Sequence, residues 1–383
     1  MNSSDDIRGR LVLDDRVAAG RIRVQDGHIV AVDLDERGGE AGGEGDRALP
    51  FVAPGFVDVH VHGWGGHDAM GSPQELDGMA QALLAHGVTS FLPTAVSSPV
   101  EELGAFADRV RRWMPAHPAD GAGPLGFNLE GPFLAQARRG AHNPLFLRDP
   151  ADVDTAALEP LLDGLRVTTI APELPGALEL IGWMHGRGVV VSLGHSGTDL
   201  ATARAGYAAG ARTTTHLFNA MTGVDHRAPG LAVAGLVNDE AFVELIADGH
   251  HVDVALWPII TRTKPSARLL LVSDALALAG AGDGRMTIGG LEVDVRDGKC
   301  TLVESGALAG SVIALDTAVR NLVRSGVDLP AAVEAASRNP LRLLGIEDRG
   351  RVAVGQAADL VELDDDLRVA RVMRDGRWYA GSR

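Results

Sequence analysis

Short apolar runs recur along this chain and alternate with longer amphipathic stretches. Each run is rich in β-branched and aromatic residues, which is typical of buried strands, whereas apolar residues in the stretches between them recur three or four positions apart, as in helices. The eight runs read FVDVHVH, VTSFLPT, LGFNLEG, VTTIAPE, VVVSLGHS, TTTHLFN, FVELIAD and LLLVSDA. Strands that alternate with helices favour one parallel sheet, and eight of them predict an α/β fold with a (β/α)8 barrel of the TIM type.

Two of the predicted helices open with a recognisable cap. The segment SPQELDGMAQALLAHG places Ser72 before Pro73 and ends in a glycine, and SPVEELGAFADRVRRW opens in the same way with Ser98 and Pro99. Serine is a preferred N-cap residue, and proline suits the first helical position. We therefore expect two helices that begin with the same serine cap.

Both ends of the chain show a pattern of short alternating strands. Asp-Gly turn signals interrupt RIRVQDGHIVAVD near one end and GRVAVGQAADLVELDDDLRVARVMRDGRWYA near the other, as expected for hairpins. We predict that residues 1–54 and 350–383 together form a small β-domain and that residues 55–349 form the barrel. A hairpin insertion is expected near 285–303, and the acidic, glycine-rich segment 35–47 is expected to be a solvated loop.

Composition narrows the class of partner. The 383 residues carry a formal net charge of −16, which argues against nucleic acid or an anionic membrane as a partner but permits a small anion in a locally basic pocket. The opening MNSSDDIRGRLVLDD lacks the basic and apolar regions of a signal peptide, so we expect a cytoplasmic protein. The single cysteine, Cys300, leaves His, Asp and Glu as the candidate metal ligands.

Polar side chains recur at the ends of the predicted strands, where barrel enzymes place their chemistry. His60 and His62 share one face of the first strand, because residues two apart in a strand point the same way. That pair alone is equally compatible with a metal site and with two hydrogen-bonded histidines in the core. Later strands end in further polar residues: Glu130, His195, His216 and Asp274. Six such side chains on one rim would be costly to bury without a ligand, so together they predict a metal centre.

The order His-x-His, acid, His, His, Asp resembles the amidohydrolase superfamily, whose metal ions activate water for attack on amides. Many binuclear members bridge their two metals with a carboxylated lysine. The two lysines of this chain, Lys264 and Lys299, precede the eighth strand and fall in the predicted hairpin, away from the middle strand ends. The resemblance therefore implies Glu130 as the acidic ligand.

Longer motifs narrow this resemblance to one family. The segments LEGPF, GAHNP, LGHS, THLFNAM, HRAPG, ADGHH and SDA resemble those of the N-acetylglucosamine-6-phosphate deacetylases. The resemblance covers nearly the whole chain, and THLFNAM together with LEGPF is far more specific than His-x-His alone.

The family resemblance implies one or two divalent metal ions per chain. The ligands of the principal ion would be Glu130, His195 and His216. His60 and His62 would hold a second ion. Some relatives lack this histidine pair and bind a single metal ion. Nitrogen and carboxylate ligands without thiolate suit Zn²⁺, Fe²⁺, Mn²⁺ or Co²⁺.

Catalytic and substrate-binding positions follow from the same resemblance. Asp274 would act as general base and then as general acid, and His142 would donate a hydrogen bond to the developing oxyanion. Arg227 suits a phosphate because its planar fork binds two oxygens, and it would reach the site from a partner subunit, which implies a homodimer. The positions implied to contact the substrate are Ala141, His142, Asn219, Ala220, Arg227, His251, Ala307, Leu308 and Ala309.

The implied reaction is the metal-dependent hydrolysis of N-acetylglucosamine 6-phosphate to glucosamine 6-phosphate and acetate, in amino-sugar catabolism. A related amidohydrolase acting on another N-acyl amino sugar or a cyclic amide is one alternative, since pocket shape rather than metal ligation sets substrate choice. A catalytically silent sugar-phosphate sensor is the other. The presence of every ligand position and of Asp274 favours an enzyme over a sensor.

Overall fold

Eight parallel strands form a barrel at the centre of the protein. The computed structural model describes residues 5–35 and 48–381. Each barrel strand pairs with the next one along the chain, in the order Phe56–Val61, Val88–Val96, Phe127–Glu130, Leu165–Ile170, Val190–Leu193, Thr213–Thr214, Phe242–Leu245 and Leu269–Leu271. Backbone hydrogen bonds close the ring, since the Asp274 N–H donates to the His60 carbonyl at 2.8 Å and the His62 N–H donates to the Ala275 carbonyl at 2.9 Å. The predicted (β/α)8 barrel is confirmed.

Ten α-helices lie within the described residues, and most follow a barrel strand. They span Pro73–Ala85, Val100–Trp113, Thr155–Leu158, Ala177–His185, Leu200–Ala208, Leu231–Val237, Trp257–Thr263, Leu315–Arg324, Leu329–Ala336 and Arg338–Leu343. Short 3-10 helices cover Met114–Ala116, Gln136–Arg138, Pro144–Phe146, Pro150–Asp152, Glu159–Leu161, Val254–Leu256 and Ser266–Arg268. Across the described ranges, none of the helices combines the length and the apolar character that a membrane span requires. The expected cytoplasmic location stays a prediction.

The two expected serine caps have different outcomes. Helix Pro73–Ala85 has the predicted cap, because the Ser72 hydroxyl accepts from the Glu75 N–H at 3.3 Å and the Glu75 carboxylate accepts from the Ser72 N–H at 2.7 Å. The cap predicted at Ser98 is wrong: helix Val100–Trp113 has Pro99 at its N-cap and no side-chain cap bond.

The reason for this difference lies in the segment that precedes the second helix. The Ser97 N–H donates to His142 Nδ1 at 3.2 Å, and the Ser97 hydroxyl donates to the Glu130 carbonyl at 3.4 Å. These contacts hold the chain at the rim of the barrel, so Pro99 stays extended, with φ −51° and ψ 144°.

Both ends of the chain join in one seven-stranded sheet beside the barrel, which confirms the predicted terminal β-unit. Its strand order is Arg377–Ala380, Val369–Arg374, Leu360–Leu363, Phe51–Pro54, Asp5–Val12, Val17–Gln25 and His28–Leu34. The strand before the barrel lies near the middle of this sheet, so the two units are directly connected. The domain boundaries stay predictions, and the predicted loop lies outside the described residues except for Asp35.

A three-stranded antiparallel sheet follows the eighth barrel strand, in the region where the sequence predicts a hairpin. Its strands are Gly284–Ile288, Leu291–Arg296 and Lys299–Leu302, and its second turn falls at Asp297 and Gly298. The Leu302 N–H donates to the Ala307 carbonyl at 2.8 Å. This sheet therefore positions the segment that follows it. Short strands elsewhere are Gly63–Trp64, His67–Asp68 and Gly123–Pro124.

The main apolar core lies between the barrel and its helices. The sequence of the first two barrel strands explains this, because every residue of Phe56–Val61 and Val88–Val96 is buried, as expected for strands of a parallel sheet that is covered on both faces. Side chains that face the barrel axis at the ends of these strands are the polar ones, which places the chemistry of the protein at the rim.

Candidate metal centre and active site

Glu130 lies between two histidines of the barrel rim. Its Oε1 atom is 3.0 Å from His195 Nε2 and 3.0 Å from His216 Nε2, and the two nitrogens are themselves 3.0 Å apart. All three side chains are buried. Three ligand atoms therefore converge from the third, fifth and sixth strands, as the sequence predicts for the principal metal site.

The other oxygen of Glu130 faces the first strand. His62 Nε2 lies 3.2 Å from Glu130 Oε2 and 3.2 Å from Asp274 Oδ1. His60 Nε2 is 3.5 Å from Glu130 Oε1 and 3.5 Å from Asp274 Oδ1. These four buried side chains form a second group that could hold a metal, and Glu130 belongs to both groups.

Backbone conformation at the rim is unusual. His195, His216 and Asp274 have φ values of 49°, 26° and 50°, in the left-handed region that side chains other than glycine rarely adopt. Each costs on the order of 1–3 kcal/mol and persists only where the surrounding structure enforces it. The barrel therefore stabilises a strained arrangement that aims three strand ends at one point.

The charges of the two groups favour a bound cation. Burial opposes the charge of Glu130, but neighbouring imidazoles, foremost that of His60, hold the pKa of its carboxyl well below its usual range. Burial opposes the charge of His62 too, yet the Asp274 and Glu130 carboxylates raise the pKa of His62 to about 9. Burial lowers the pKa of His195 to about 4. The carboxylates thus stay ionised and attract positive charge.

The donor atoms also fit a divalent metal ion. His60 Nε2 is buried and has no hydrogen-bond partner among the described residues, which is costly for a polar atom unless an ion engages it. Ligand atoms about 2.0–2.1 Å from a tetrahedral zinc ion lie about 3.3 Å from one another. The separations of 3.0–3.5 Å given above are of this size, and all ligand atoms within each group lie within 4.8 Å of one another.

A carboxylated lysine does not bridge the two groups. Lys264 is buried, and its Nζ donates to the carbonyl oxygens of Gly235 and Asn238. Lys299 is exposed on the three-stranded sheet, and the chain has no other lysine. Glu130 takes the place between the groups instead.

A cavity of about 330 Å³ opens over the two groups. Its wall contains most of the positions that the sequence predicts to contact the substrate: Ala141, His142, Asn219, Ala220, His251, Ala307, Leu308 and Ala309. His251 is held by a hydrogen bond of 2.7 Å between its Nδ1 atom and Asp248 Oδ2, whereas His250 is exposed. The predicted substrate positions, apart from Arg227, therefore share one cavity; their roles stay predictions.

His142 is held in one tautomer beside the metal groups. The Ser97 N–H donates to His142 Nδ1, so the ring carries its proton on Nε2, which lies 3.1 Å from Glu130 Oε2. Gly140, with φ 56°, allows this loop to approach closely, since a Cβ atom there would lie 3.2 Å from His195 Cε1. The loop thus presents an N–H donor from His142 at the floor of the cavity.

Arg227 does not line the cavity of its own chain. Residues 223–228 form an exposed segment, in which the Asp225 carboxylate accepts from the Arg227 N–H at 2.7 Å. The phosphate contact predicted for Arg227, and the partner subunit that it implies, therefore stay predictions.

Two charged residues of the site were missed by the sequence analysis. Glu244 lies on the seventh strand, with Oε2 3.1 Å from His60 Nδ1, and Arg138 lines the cavity. An acidic residue within the apolar run FVELI was a signal for Glu244. Arg138 follows no periodic pattern that would have marked it.

Comparison with known proteins agrees with this geometry. A sequence profile of the Amidohydrolase family matches residues 51–379. The human N-acetylglucosamine-6-phosphate deacetylase is 38% identical over 348 residues, covering 86% of this chain and 84% of the human protein. The chain belongs to the amidohydrolase family and, within it, to the N-acetylglucosamine-6-phosphate deacetylases. The resemblance carried by the sequence motifs is confirmed.

Two further proteins are similar over nearly the whole chain. A solved structure of a mutant N-acetyl-D-glucosamine-6-phosphate deacetylase from Mycobacterium smegmatis, in complex with N-acetyl-D-glucosamine-6-phosphate, superposes with a TM-score of 0.90. It is 34% identical, and the match covers 98% of this chain and 99% of that one. The N-acetylgalactosamine-6-phosphate deacetylase of Escherichia coli O157:H7 is 37% identical, over 93% of this chain and 94% of its own length.

Proposed function

We propose that this deacetylase hydrolyses the amide bond of N-acetylglucosamine 6-phosphate to give glucosamine 6-phosphate and acetate, with one or two divalent ions of Zn²⁺, Fe²⁺, Mn²⁺ or Co²⁺ per chain. The observation that supports it most is that Glu130 belongs to two buried ligand groups at the floor of a cavity. A divalent ion bound there would supply a Lewis acid and would lower the pKa of water from about 15.7 toward about 7.

Asp274 moves the proton in this proposal. It lies next to His60 and His62 in the second group, and its carboxylate accepts a proton from the attacking water as the new C–O bond forms. It then returns that proton to the sugar nitrogen, because an amine leaves the tetrahedral intermediate only when it is protonated. The C–N bond breaks, and the products are the free amine and acetate.

The cavity wall orients the substrate. The Nε2–H of His142, which faces Glu130 Oε2 in this structure, would donate instead to the acyl oxygen, whose negative charge grows during attack. Asn219, Ala220 and His251 would contact the sugar and its phosphate, and Ala307–Ala309 would contact the acyl end. Arg227 of a second copy would complete the phosphate site, so the proposed enzyme is a homodimer.

A second substrate is favoured by one comparison. The similarity to the N-acetylgalactosamine-6-phosphate deacetylase of Escherichia coli O157:H7 extends over 93% of this chain, so the 4-epimer of the sugar is the second candidate. The two sugars differ in the configuration of the 4-hydroxyl, on which metal ligation does not depend. Only the shape of the cavity wall would therefore make the enzyme prefer one of them.

Acetate release from a panel of substrates tests the proposal. The panel contains both phosphorylated epimers, free N-acetylglucosamine and a cyclic amide, with metal content measured on the same sample. We expect the highest kcat/KM for N-acetylglucosamine 6-phosphate and a large loss for the free sugar. Equal activity on free and phosphorylated sugar would refute the proposed substrate, and tight substrate binding without acetate release would indicate a sensor.

A further inference from the structure

Glu244 is an acidic residue inside an apolar barrel strand. It lies in strand Phe242–Leu245, where all residues are buried, and is itself 1% exposed. A buried carboxylate without partners is strongly destabilising, so its contacts explain why the strand tolerates it.

Its Oε2 atom contacts both metal-binding groups. The Nδ1–H of His60 donates to it at 3.1 Å, and the backbone N–H of His216 donates to it at 3.1 Å. His60 belongs to the group on the first strand, and His216 belongs to the group around Glu130. One carboxylate oxygen therefore joins the side chain of one group to the backbone of the other.

The contact with His60 differs from those of the neighbouring rings. The Nδ1 atoms of His62 and His195 meet backbone carbonyl oxygens at 3.1 and 2.9 Å. Among the residues placed by the structure, His60 is the candidate ligand whose outer nitrogen meets a carboxylate. That bond keeps the proton on Nδ1 and turns the unpartnered Nε2 lone pair toward Glu130 and Asp274.

We infer that Glu244 is a positioning residue that orients His60 to hold the second divalent ion, while the bond from the His216 N–H holds the Glu244 carboxylate in place. A carboxylate behind a histidine ligand fixes the ring and increases its basicity, and loss of such a partner typically weakens metal binding about 10- to 100-fold. The inference rests on the metal centre of the proposed function and is independent of the substrate.

Metal binding by the full-length protein tests this role. Metal-free wild type, Glu244→Gln and Glu244→Leu are titrated with Co²⁺ and followed by absorption, and metal content is then measured after dialysis. We expect about two equivalents in wild type and about one in Glu244→Leu. In Glu244→Gln the amide oxygen still accepts from His60 without the charge, so we expect the second ion to bind about 10-fold more weakly.

Asp316→Asn is the matched control. This buried carboxylate lies on helix Leu315–Arg324, belongs to neither ligand group, and accepts from Arg320 at 2.7 Å. We expect the control to lower Tm but to keep both ions, which separates loss of stability from loss of a ligand position.

The outcomes separate this inference from the proposed function. Wild-type affinity for the second ion in Glu244→Gln, a single equivalent in wild type, or loss of both ions from folded Glu244→Leu would each overturn the positioning role. Acetate release is measured on the same samples, so a protein that binds two ions as expected but releases no acetate would refute the proposed function alone.

Discussion

Asp274 belongs to a candidate metal-ligand group and is also the proposed general base and acid. Its Oδ1 atom is 3.2 Å from His62 Nε2, while its backbone N–H helps to close the barrel by bonding to the His60 carbonyl. Replacement by asparagine keeps the backbone bond and the side-chain volume, but it removes the group that accepts and returns the proton.

We predict that Asp274→Asn folds, keeps the ion held by Glu130, His195 and His216, and loses about 10²–10⁴ in kcat. Steady-state kinetics and elemental analysis of the purified variant measure the two effects. Turnover close to that of wild type would show that another group moves the proton.

The histidine pair of the first strand gives a second prediction at this scale. His60 and His62 contribute ligand atoms only to the group that contains Asp274. The double variant His60→Asn/His62→Asn should therefore hold about one metal equivalent fewer than wild type under metal-replete conditions. Equal metal content in the two proteins would refute the binuclear centre and leave the single-metal site intact.

At the scale of single elements, two helices with similar sequences at their starts differ in their caps. Ser72 makes a reciprocal capping box with Glu75, whereas Ser98 makes no cap bond because the chain before it is held at the rim. The pair allows the contribution of a cap to be measured within one protein.

We predict that Ser72→Ala lowers the free energy of unfolding by about 0.5–2 kcal/mol, the usual cost of a lost N-cap. Ser98→Ala, its matched control, should change that free energy by less than about 0.5 kcal/mol. Denaturant titrations of both variants provide the measurement. A larger effect at Ser98 than at Ser72 would contradict this account of the two helices.

At the scale of the whole molecule, the position of Arg227 bears on whether one subunit completes the phosphate site of another. It lies on an exposed segment and outside the cavity of its own chain. We therefore expect any phosphate contact of Arg227 to lie in the site of a second copy. We predict that Arg227→Ala raises KM about 10- to 100-fold for the phosphorylated sugar, the value of a charge-assisted contact, and much less for the free sugar.

Mixed dimers test whether Arg227 acts across subunits. Arg227→Ala and Asp274→Asn chains are each impaired, but a dimer of one with the other contains a site that has both native residues. Refolding or coexpression of equal amounts should restore about a quarter of the wild-type kcat/KM for the phosphorylated sugar, because half of the dimers are mixed and each has one intact site. No gain over the separate variants would place Arg227 in its own site or outside any site.

The sequence by itself determined the barrel, the terminal sheet and the set of candidate ligands. Eight apolar runs separated by amphipathic stretches are sufficient for the fold, because burial on both faces imposes that pattern on parallel strands. The ligands could be named because parallel strands place their carboxyl ends on one rim, so residue type and position along each run indicate a shared site.

Only the tertiary structure decided which hydrogen-bond partner each buried polar side chain has. Glu244 contacts His60 across 184 positions of the chain, and Ser97, which precedes the predicted cap residue Ser98, donates to His142. Such contacts depend on barrel closure and on the left-handed backbone at the strand ends, neither of which leaves a local pattern. Periodicity reports which face of an element is buried, whereas the pairing of two buried polar groups is fixed by where distant strands meet.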